Sequence, residues 1–247
     1  MSVSYELGNG AATITLDRPE ARNALDMAMC DALLAAAQRA AADGVRLVLV
    51  RAAGPVFCAG ADLKERQGMD AAQVRARRLR AFEAYGALEA LPMPAIAVVE
   101  GPAIGSGCEI AASCDFIVAT PRATFRTPEA LWGTVGATQR LPRVLGKRLA
   151  KDLMFTGRAL SAEEAERHGL VARVVPNEEL EAVLAQIVET IVKAPGRALA
   201  LAKRSIDRGV ELDPRGALDT EIAAIEENLA AQGWKDGIAA FGKRGPG

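Results

Sequence analysis

Apolar and polar residues follow two different periods in the first part of the chain. Residues 4–7 and 12–16 alternate as in two strands, and Gly8-Asn9-Gly10 between them is a strong hairpin turn sequence. Residues 27–43 instead carry apolar side chains at helical period, directly after Asp26. The pattern predicts a β-hairpin followed by a helix that Asp26 caps.

Two apolar runs, Val45–Arg51 and Pro94–Glu100, predict buried strands, and a helix is predicted between them from about Asp70 to Leu91. Each strand leads into a glycine-containing turn, the first around Gly60 and the second at Gly105-Ser106-Gly107. Small residues in such turns let a ligand approach the backbone closely. The alternation of strands and helices predicts an α/β fold.

The pattern changes towards the C-terminus. Phe116–Ala119 and Val171–Val175 are the last predicted strands, and beyond about Asn177 only helical periods remain. The helices predicted there are Glu178–Val192, Gly196–Arg208, Asp213–Ala231 and Trp234–Phe241. We therefore expect a strand-bearing core over residues 1–195 and a helical region over 196–247 whose apolar faces pack on a partner subunit.

Composition and charge narrow the function classes. Half of the 247 residues are hydrophobic but only 4% are aromatic, which predicts a core of small and aliphatic side chains. Lys and Arg total 30 against 31 Asp and Glu, so the net charge of −1 disfavours binding to nucleic acid or an anionic membrane. The basic run Arg75–Arg80 is interpreted as a solvated helix face, with RNA or phosphate binding as the alternative.

The cysteines Cys30, Cys58, Cys108 and Cys114 form no C-x-x-C pair, so we expect buried free thiols in a reducing compartment, not disulfides or a zinc site. The first residues lack a signal-peptide pattern, and no apolar run approaches the roughly 18 residues that span a bilayer. A soluble cytoplasmic protein is expected.

The single histidine, His168, ends a short predicted helix that begins with the capping box Ser161-Ala-Glu-Glu164 and is followed by Gly169. A histidine at a helix C-terminus is typical of a structural role. Hydrolases with a Ser-His-Asp or Cys-His arrangement are therefore disfavoured.

The candidate chemistry lies between Gly101 and Arg140. Gly105-Ser106-Gly107 opens an apolar helix, and the unpaired N–H groups at a helix start can receive an oxyanion. Glu109 lies in the first turn of that helix, and Glu129 opens a later apolar segment. If the two carboxylates share a dry pocket, their pKa values are pushed apart, as acid and base catalysis require. The alternative is that each is an ordinary helix-start glutamate worth about 0.3–1 kcal/mol.

Several segments together resemble the crotonase (enoyl-CoA hydratase/isomerase) family, in the family's order and over nearly the whole chain. They are Arg18–Leu25, Gly54–Lys64, Gly101–Glu109, Cys114-Asp115, Phe125–Glu129, Thr138–Leu141, Thr156-Gly157, Ala165–Val171 and Phe241–Arg244. The resemblance implies a spiral of β-β-α repeats with a C-terminal helical region, assembled as trimers that often pair into hexamers.

The resemblance also implies acyl-coenzyme A thioester substrates, no metal and no separate cofactor, since coenzyme A enters as part of the substrate. The backbone N–H groups of Ala59 and Ser106 would form an oxyanion hole. Glu109 would activate a water molecule and Glu129 would exchange a proton with the α-carbon. Both acids favour an enoyl-CoA hydratase; the alternatives are a Δ3-Δ2 isomerase, another crotonase reaction, or a silent scaffold or RNA-binding relative, which the neutral charge and the two acids disfavour.

The resemblance assigns further residues to substrate binding. Those near the coenzyme would be Arg22, Ala61, Asp62, Lys64 and, from a neighbouring subunit, Lys243, with solvated charges as the alternative. Trp132 would line the acyl pocket or else belong to the core.

Two departures from the family pattern affect the predicted site. Ser106 replaces a glycine of the family's triple-glycine turn, and this requires that the backbone there tolerates a Cβ. The loop Gly133–Gln139 is about three residues shorter than is usual in the family. Water placement and acyl fit are therefore expected to depend on this loop.

Overall fold

The computed structural model describes residues 2–231, 234 and 235. The strands are β1 (Val3–Gly8), β2 (Ala11–Leu16), β3 (Leu47–Ala52), β4 (Ala95–Val99), β5 (Pro102–Ile104), β6 (Phe116–Ala119), β7 (Thr124–Arg126), β8 (Leu160–Ser161) and β9 (Arg173–Val174). The α-helices are α1 (Met27–Asp43), α2 (Ala71–Glu89), α3 (Ser106–Ala112), α4 (Arg140–Thr156), α5 (Ala162–Arg167), α6 (Leu180–Lys193), α7 (Gly196–Gly209) and α8 (Pro214–Ala230). Short 3₁₀ helices cover Pro19–Ala21 and Glu129–Trp132.

The strands form two sheets. The larger sheet has the order β1-β2-β3-β4-β6-β9, and only its β1/β2 pair is antiparallel. The smaller sheet has the order β5-β7-β8, in which β5 and β7 run parallel. The hairpin turn places Asn9 and Gly10 at φ 53° and 76°, the left-handed conformations that a tight hairpin needs. The predicted α/β class is confirmed.

Side-chain caps begin the helices where the sequence predicts them. Asp26 accepts a hydrogen bond from the Met29 N–H at 2.8 Å, and α1 runs over the predicted residues 27–43. Asp70 and Gln73 cap α2 reciprocally. At α5 one of the two hydrogen bonds of the predicted capping box is formed, because the Glu164 N–H donates to the Ser161 hydroxyl. The Glu164 carboxylate pairs with Arg158 and does not return to the Ser161 N–H.

Two hydrophobic clusters sandwich the larger sheet. Alternation along β3 sends Val48 and Val50 towards α1 and α2, and sends Leu47 and Leu49 towards α6. The sheet is thus covered on both faces, as is typical of parallel strands. Its strand ends deliver β5 and α3 to the region where the candidate residues lie.

The sequence also makes predictions for the cysteines, the single histidine and the C-terminal helices. The four cysteines are buried and free, as predicted. His168 lies at the C-cap of α5, as predicted. The region from Gly196 starts as α7, which packs with α8. No helix in the described part of the chain combines the length and apolar character that a membrane span requires.

Candidate active site

The two glycine-containing turns pack directly against each other. The Cys58 N–H donates to the Pro102 carbonyl at 3.2 Å, and the Ile104 N–H donates to the Cys58 carbonyl at 2.8 Å. A Cβ on Gly60 would lie 3.0 Å from the Ile104 carbonyl oxygen, and one on Gly107 would lie 2.5 Å from the Cys58 carbonyl oxygen. Glycine is therefore required at both positions to bring the turns together.

The prediction that the Ala59 N–H is an oxyanion donor is wrong, because this N–H is already used in a backbone hydrogen bond of the first turn. The Ala59 N–H donates to the Arg22 carbonyl at 3.0 Å, so it is not free to bind a ligand. The Leu25 N–H donates to the Gly60 carbonyl, and the Leu25 carbonyl accepts the Asp62 N–H. The N–H of Ala61, which lies between these two residues, therefore points to the opposite side of the chain. Within the described residues the Ala61 N–H has no acceptor, and Ala61 lines the cavity.

Ser106 supplies the second predicted donor at the start of α3. Its own backbone has a negative φ, whereas Gly105 before it adopts φ 53° and ψ −108°. The Cβ of Ser106 is therefore tolerated, because the strained position of the turn is still a glycine. The buried Tyr85 lines the same cavity as Ser106.

Glu109 projects from the first turn of α3 and is buried. Burial raises the pKa of its carboxyl group, the Arg140 guanidinium acts to lower it, and the charge of Glu129 raises it further. Arg140 Nη1 lies 3.7 Å from Glu109 Oε1. Glu109 is thus a carboxylate that burial drives towards the neutral form and that the charges of Arg140 and, to a smaller extent, Arg78 hold towards the charged form.

Glu129 begins the 3₁₀ helix Glu129–Trp132 and faces the same turn. Its Oε1 lies where a Cβ on Gly105 would be only 2.5 Å away. Its Oε2 is buried and has no hydrogen-bond partner among the described residues. Burial raises the pKa of this carboxyl group as well. Both acids therefore face one cavity, which is the condition that the sequence analysis set for acid and base catalysis.

A cavity of about 740 Å³ joins the two turns and the two acids. The predicted ligand residues Arg22, Ala61, Asp62, Lys64 and Trp132 all line it, whereas Lys243 lies outside the described residues. The indole of Trp132 is 62% exposed, so its alternative interpretation as a core residue is wrong.

Asp62 has a different task from the predicted one. Its Oδ2 accepts a hydrogen bond from Arg18 at 2.8 Å, and its Oδ1 accepts the N–H of Lys64 at 2.9 Å. Burial acts to raise the pKa of this carboxyl group, but these hydrogen bonds outweigh it and the pKa is lowered. Both oxygens are already engaged, so Asp62 holds the loop in place and leaves little capacity for a ligand.

The sequence interpretation missed two further arginines of the site. The interpretation of Arg75–Arg80 as a solvated helix face is wrong for two of its residues. Arg77 is buried and pairs with Glu65 at 2.5 Å. Arg78 lines the cavity and donates to the Val135 carbonyl. The only sequence signal was the density of the run. Arg140 is a third missed residue: it stands in the recognised Thr138–Leu141 segment, but no pattern indicated its carboxylate partner.

The short loop Gly133–Gln139 forms part of the cavity wall. Thr134, Gly136 and Ala137 line the cavity, and Ala137 adopts φ 54°. The loop ends where α4 begins, and this places Arg140 beside Glu109. In the described ranges, no group of three or more His, Cys, Asp or Glu residues is placed to hold a metal ion.

Comparison with known proteins agrees with this geometry. Residues 6–246 match the family model described as enoyl-CoA hydratase/isomerase. The chain is 41% identical to enoyl-CoA hydratase domain-containing protein 2 of Mus musculus, over 96% of this chain and 83% of that protein. It is 34% identical to the enoyl-CoA isomerase/hydratase of Mycosarcoma maydis, over 94% and 89%. The crystal structure of an enoyl-CoA hydratase from Bacillus anthracis superimposes with a TM-score of 0.94 at 35% identity, over 100% and 98%.

Proposed function

Because the chain belongs to the enoyl-CoA hydratase/isomerase family, we propose that it adds water across the 2,3 double bond of a trans-2-enoyl-CoA thioester. The observation that carries this proposal is the pair of carboxylates in unlike surroundings, the buried Glu109 beside a guanidinium and the half-buried Glu129 with a buried, unpartnered oxygen. Two carboxyl groups with such different neighbours can divide base and acid roles.

Glu109 acts as the general base. The Arg140 guanidinium favours its ionised form, so it can accept a proton from water while the water oxygen forms a bond to C3 of the acyl chain. The electron pair of the double bond then moves towards C2 and the thioester carbonyl, which develops negative charge.

Glu129 acts as the general acid. Its Oε2 is buried without a hydrogen-bond partner among the described residues. Burial raises the pKa of its carboxyl group and favours the protonated form, and this outweighs the charge of Arg78, which acts to lower the pKa. Glu129 delivers its proton to C2. Both new bonds form on the side of the double bond that faces the two acids, so the addition is syn.

The N–H groups of Ser106 and Ala61 form the oxyanion hole. They belong to the two turns that pack together, and both residues line the cavity beside the acids. Two fixed donors stabilise the charge on the thioester oxygen, and each such donor is worth about 2.7–4 kcal/mol in comparable sites. Ala61 thereby replaces Ala59 in this role.

The rest of the cavity holds the substrate. Arg22 and Lys64 supply positive charge for the coenzyme phosphates, and Trp132 supplies an apolar surface for the acyl chain. Lys243 of a neighbouring subunit remains part of the proposal, together with a trimer or a hexamer. Coenzyme A is part of the substrate, and the chemistry assigned here uses only side chains and backbone N–H groups of the chain.

The test is the loss of enoyl-thioester absorbance when the purified protein meets short, long and aryl trans-2-enoyl-CoA substrates. Glu109→Gln and Glu129→Gln should each lower kcat by about 10²-fold or more while thioester binding persists. Glu163→Gln, in the first turn of α5, is the matched control. Unchanged turnover in the Glu129→Gln variant would overturn the acid assignment.

A Δ3-Δ2 isomerase is the second candidate, because it needs only a carboxylate that shuttles a proton between C2 and C4, and the unpartnered Glu129 Oε2 suits that task. A trans-3-enoyl-CoA substrate distinguishes the two reactions, since isomerisation raises the enoyl absorbance. Activity on this substrate alone, retained in Glu109→Gln, would replace the hydratase proposal.

A further inference from the structure

Three guanidinium groups lie along one wall of the cavity, close to the two acids. Arg77 and Arg78 belong to α2, and Arg66 precedes that helix; all three line the cavity. Arg75, on the exposed side of the same helix, does not. The positive charge is therefore concentrated on the inner face of α2.

Carboxylates balance only part of this charge, since Arg78 acts on Glu109 and Glu129 from beyond ion-pair distance. Arg77 pairs with Glu65, but its Nη2 is buried and has no hydrogen-bond partner in the described part of the chain. The Arg78 side chain donates to a carbonyl only, and within the described residues no carboxylate lies within the 4.0 Å ion-pair distance of Arg66 or Arg78. Burial lowers the pKa of Arg66, and the charges of Arg78 and Arg77 lower it further.

Arg78 lies at the reacting end of the cavity. A Cβ on Gly136 would lie 3.1 Å from Arg78 Nη1 and 3.5 Å from Glu129 Oε1. Both distances are measured from the same point, so Arg78 Nη1 and Glu129 Oε1 lie at most 6.6 Å apart. A group bonded to the acyl chain a few carbons beyond the double bond can therefore reach Arg78.

With an uncharged acyl chain, Arg66 and Arg78 would have no carboxylate at ion-pair distance, and burial already acts against the charge of Arg66. A carboxylate would satisfy them, because a guanidinium binds the two carboxylate oxygens through parallel hydrogen bonds. We propose that the substrate's acyl group carries its own carboxylate, so that the protein takes a short ω-carboxy-2-enoyl-CoA thioester. This inference rests on the proposed function only in placing the double bond between Glu109 and Glu129.

The test compares dissociation constants by calorimetry for two saturated thioesters with acyl chains of equal length, glutaryl-CoA and pentanoyl-CoA, and for free coenzyme A. The native protein should bind glutaryl-CoA at least about tenfold more tightly than pentanoyl-CoA, or about 1.4 kcal/mol. Arg66→Gln and Arg78→Gln should each bring this ratio towards one and leave the affinity for coenzyme A unchanged. Arg75→Gln, the matched control, should keep the native ratio.

Two outcomes would overturn the proposal. Equal affinity of the native protein for the two thioesters means that the acyl carboxylate is not recognised. Equal weakening of all three ligands in Arg78→Gln means that the guanidiniums bind the coenzyme phosphates instead. Saturated thioesters cannot be hydrated, so the ratio of the two dissociation constants is independent of turnover. If the protein prefers glutaryl-CoA but shows no hydratase activity, the proposed reaction is refuted and the recognition of the acyl carboxylate stands.

Discussion

The Arg140 guanidinium lies between two carboxylates of unlike exposure. Its Nη2 is 2.7 Å from Glu89, which is 55% exposed, and its Nη1 is 3.7 Å from Glu109, which is 8% exposed. The exposed pair is screened by water, whereas the charge felt by the buried acid is not. Glu89 thus holds the guanidinium in position, and Arg140 acts on Glu109.

Replacing Arg140 should therefore change the pH dependence of the reaction. The guanidinium acts to lower the pKa of Glu109, so Arg140→Gln should raise that pKa and move the acidic limb of the kcat profile to higher pH. Arg143→Gln removes an exposed guanidinium from the same helix and should leave the limb unchanged. An acidic limb that stays in place in Arg140→Gln would contradict the base role of Glu109.

Gly105 is a second residue whose conformation and space are both constrained. The substitution Gly105→Ala places a Cβ 2.5 Å from Glu129 Oε1 at φ 53°, so kcat should fall at least tenfold and the free energy of unfolding by about 1–2 kcal/mol. Gly44→Ala shares the positive φ but has open space around it, so it should lose stability and keep kcat. Kinetics with chemical denaturation measure both; equal kcat in the two variants would show that the contact with Glu129 is unimportant.

At the scale of elements, Glu65 connects two helices with one carboxylate. Its Oε1 accepts the Met27 N–H at the start of α1, and its Oε2 pairs with Arg77 of α2, whose side chain is 4% exposed. The loop after the first glycine turn is therefore held to both α1 and α2. This explains why a helix rich in arginine can still pack against the core.

Glu65→Gln should leave the buried Arg77 charge without its partner. Breaking such a pair costs about 3 kcal/mol, somewhat less here because Glu65 is partly exposed. Urea unfolding measures the loss, and Glu83→Gln, which removes an exposed partner of Arg80 on the same helix, should cost less than about 0.5 kcal/mol. Equal stability of the two variants would indicate that water solvates Arg77 in the folded protein.

At the scale of the whole molecule, the sequence predicts those helices and turns whose determinants lie within a few neighbouring residues. The bounds of α1 follow from Asp26 and an apolar period, and the hairpin follows from Gly8-Asn9-Gly10. The partner of Ala59 could not be predicted, because it depends on how the loop of Arg22 crosses the first turn. The environment of Arg77 and Arg140 likewise follows from packing between distant segments, which no local pattern contains.

The C-terminal helices retain an apolar surface that the described chain does not cover. On α8 the face towards α7 carries Ala217 and Glu227, and Glu227 pairs with two arginines of α7. The opposite face exposes large side chains at heptad spacing. These exposed residues are Leu218, Ile222, Ile225 and Leu229. Such a stripe is typical of a helix that packs on a second helix.

We therefore predict a trimer or a hexamer in solution, with this stripe at the interface between subunits. Light scattering coupled to size exclusion measures the mass of the native protein and of the double variant Ile222→Glu, Ile225→Glu, which should dissociate because two charges would be buried in the interface. Glu226→Gln, on an exposed part of α8, is the matched control and should keep the native mass. A monomeric native protein would refute the assembly, and a double variant of native mass would locate the interface elsewhere. If the variant dissociates with its circular dichroism unchanged, its hydratase rate then reports whether the active site needs the neighbouring subunit, as the assignment of Lys243 requires.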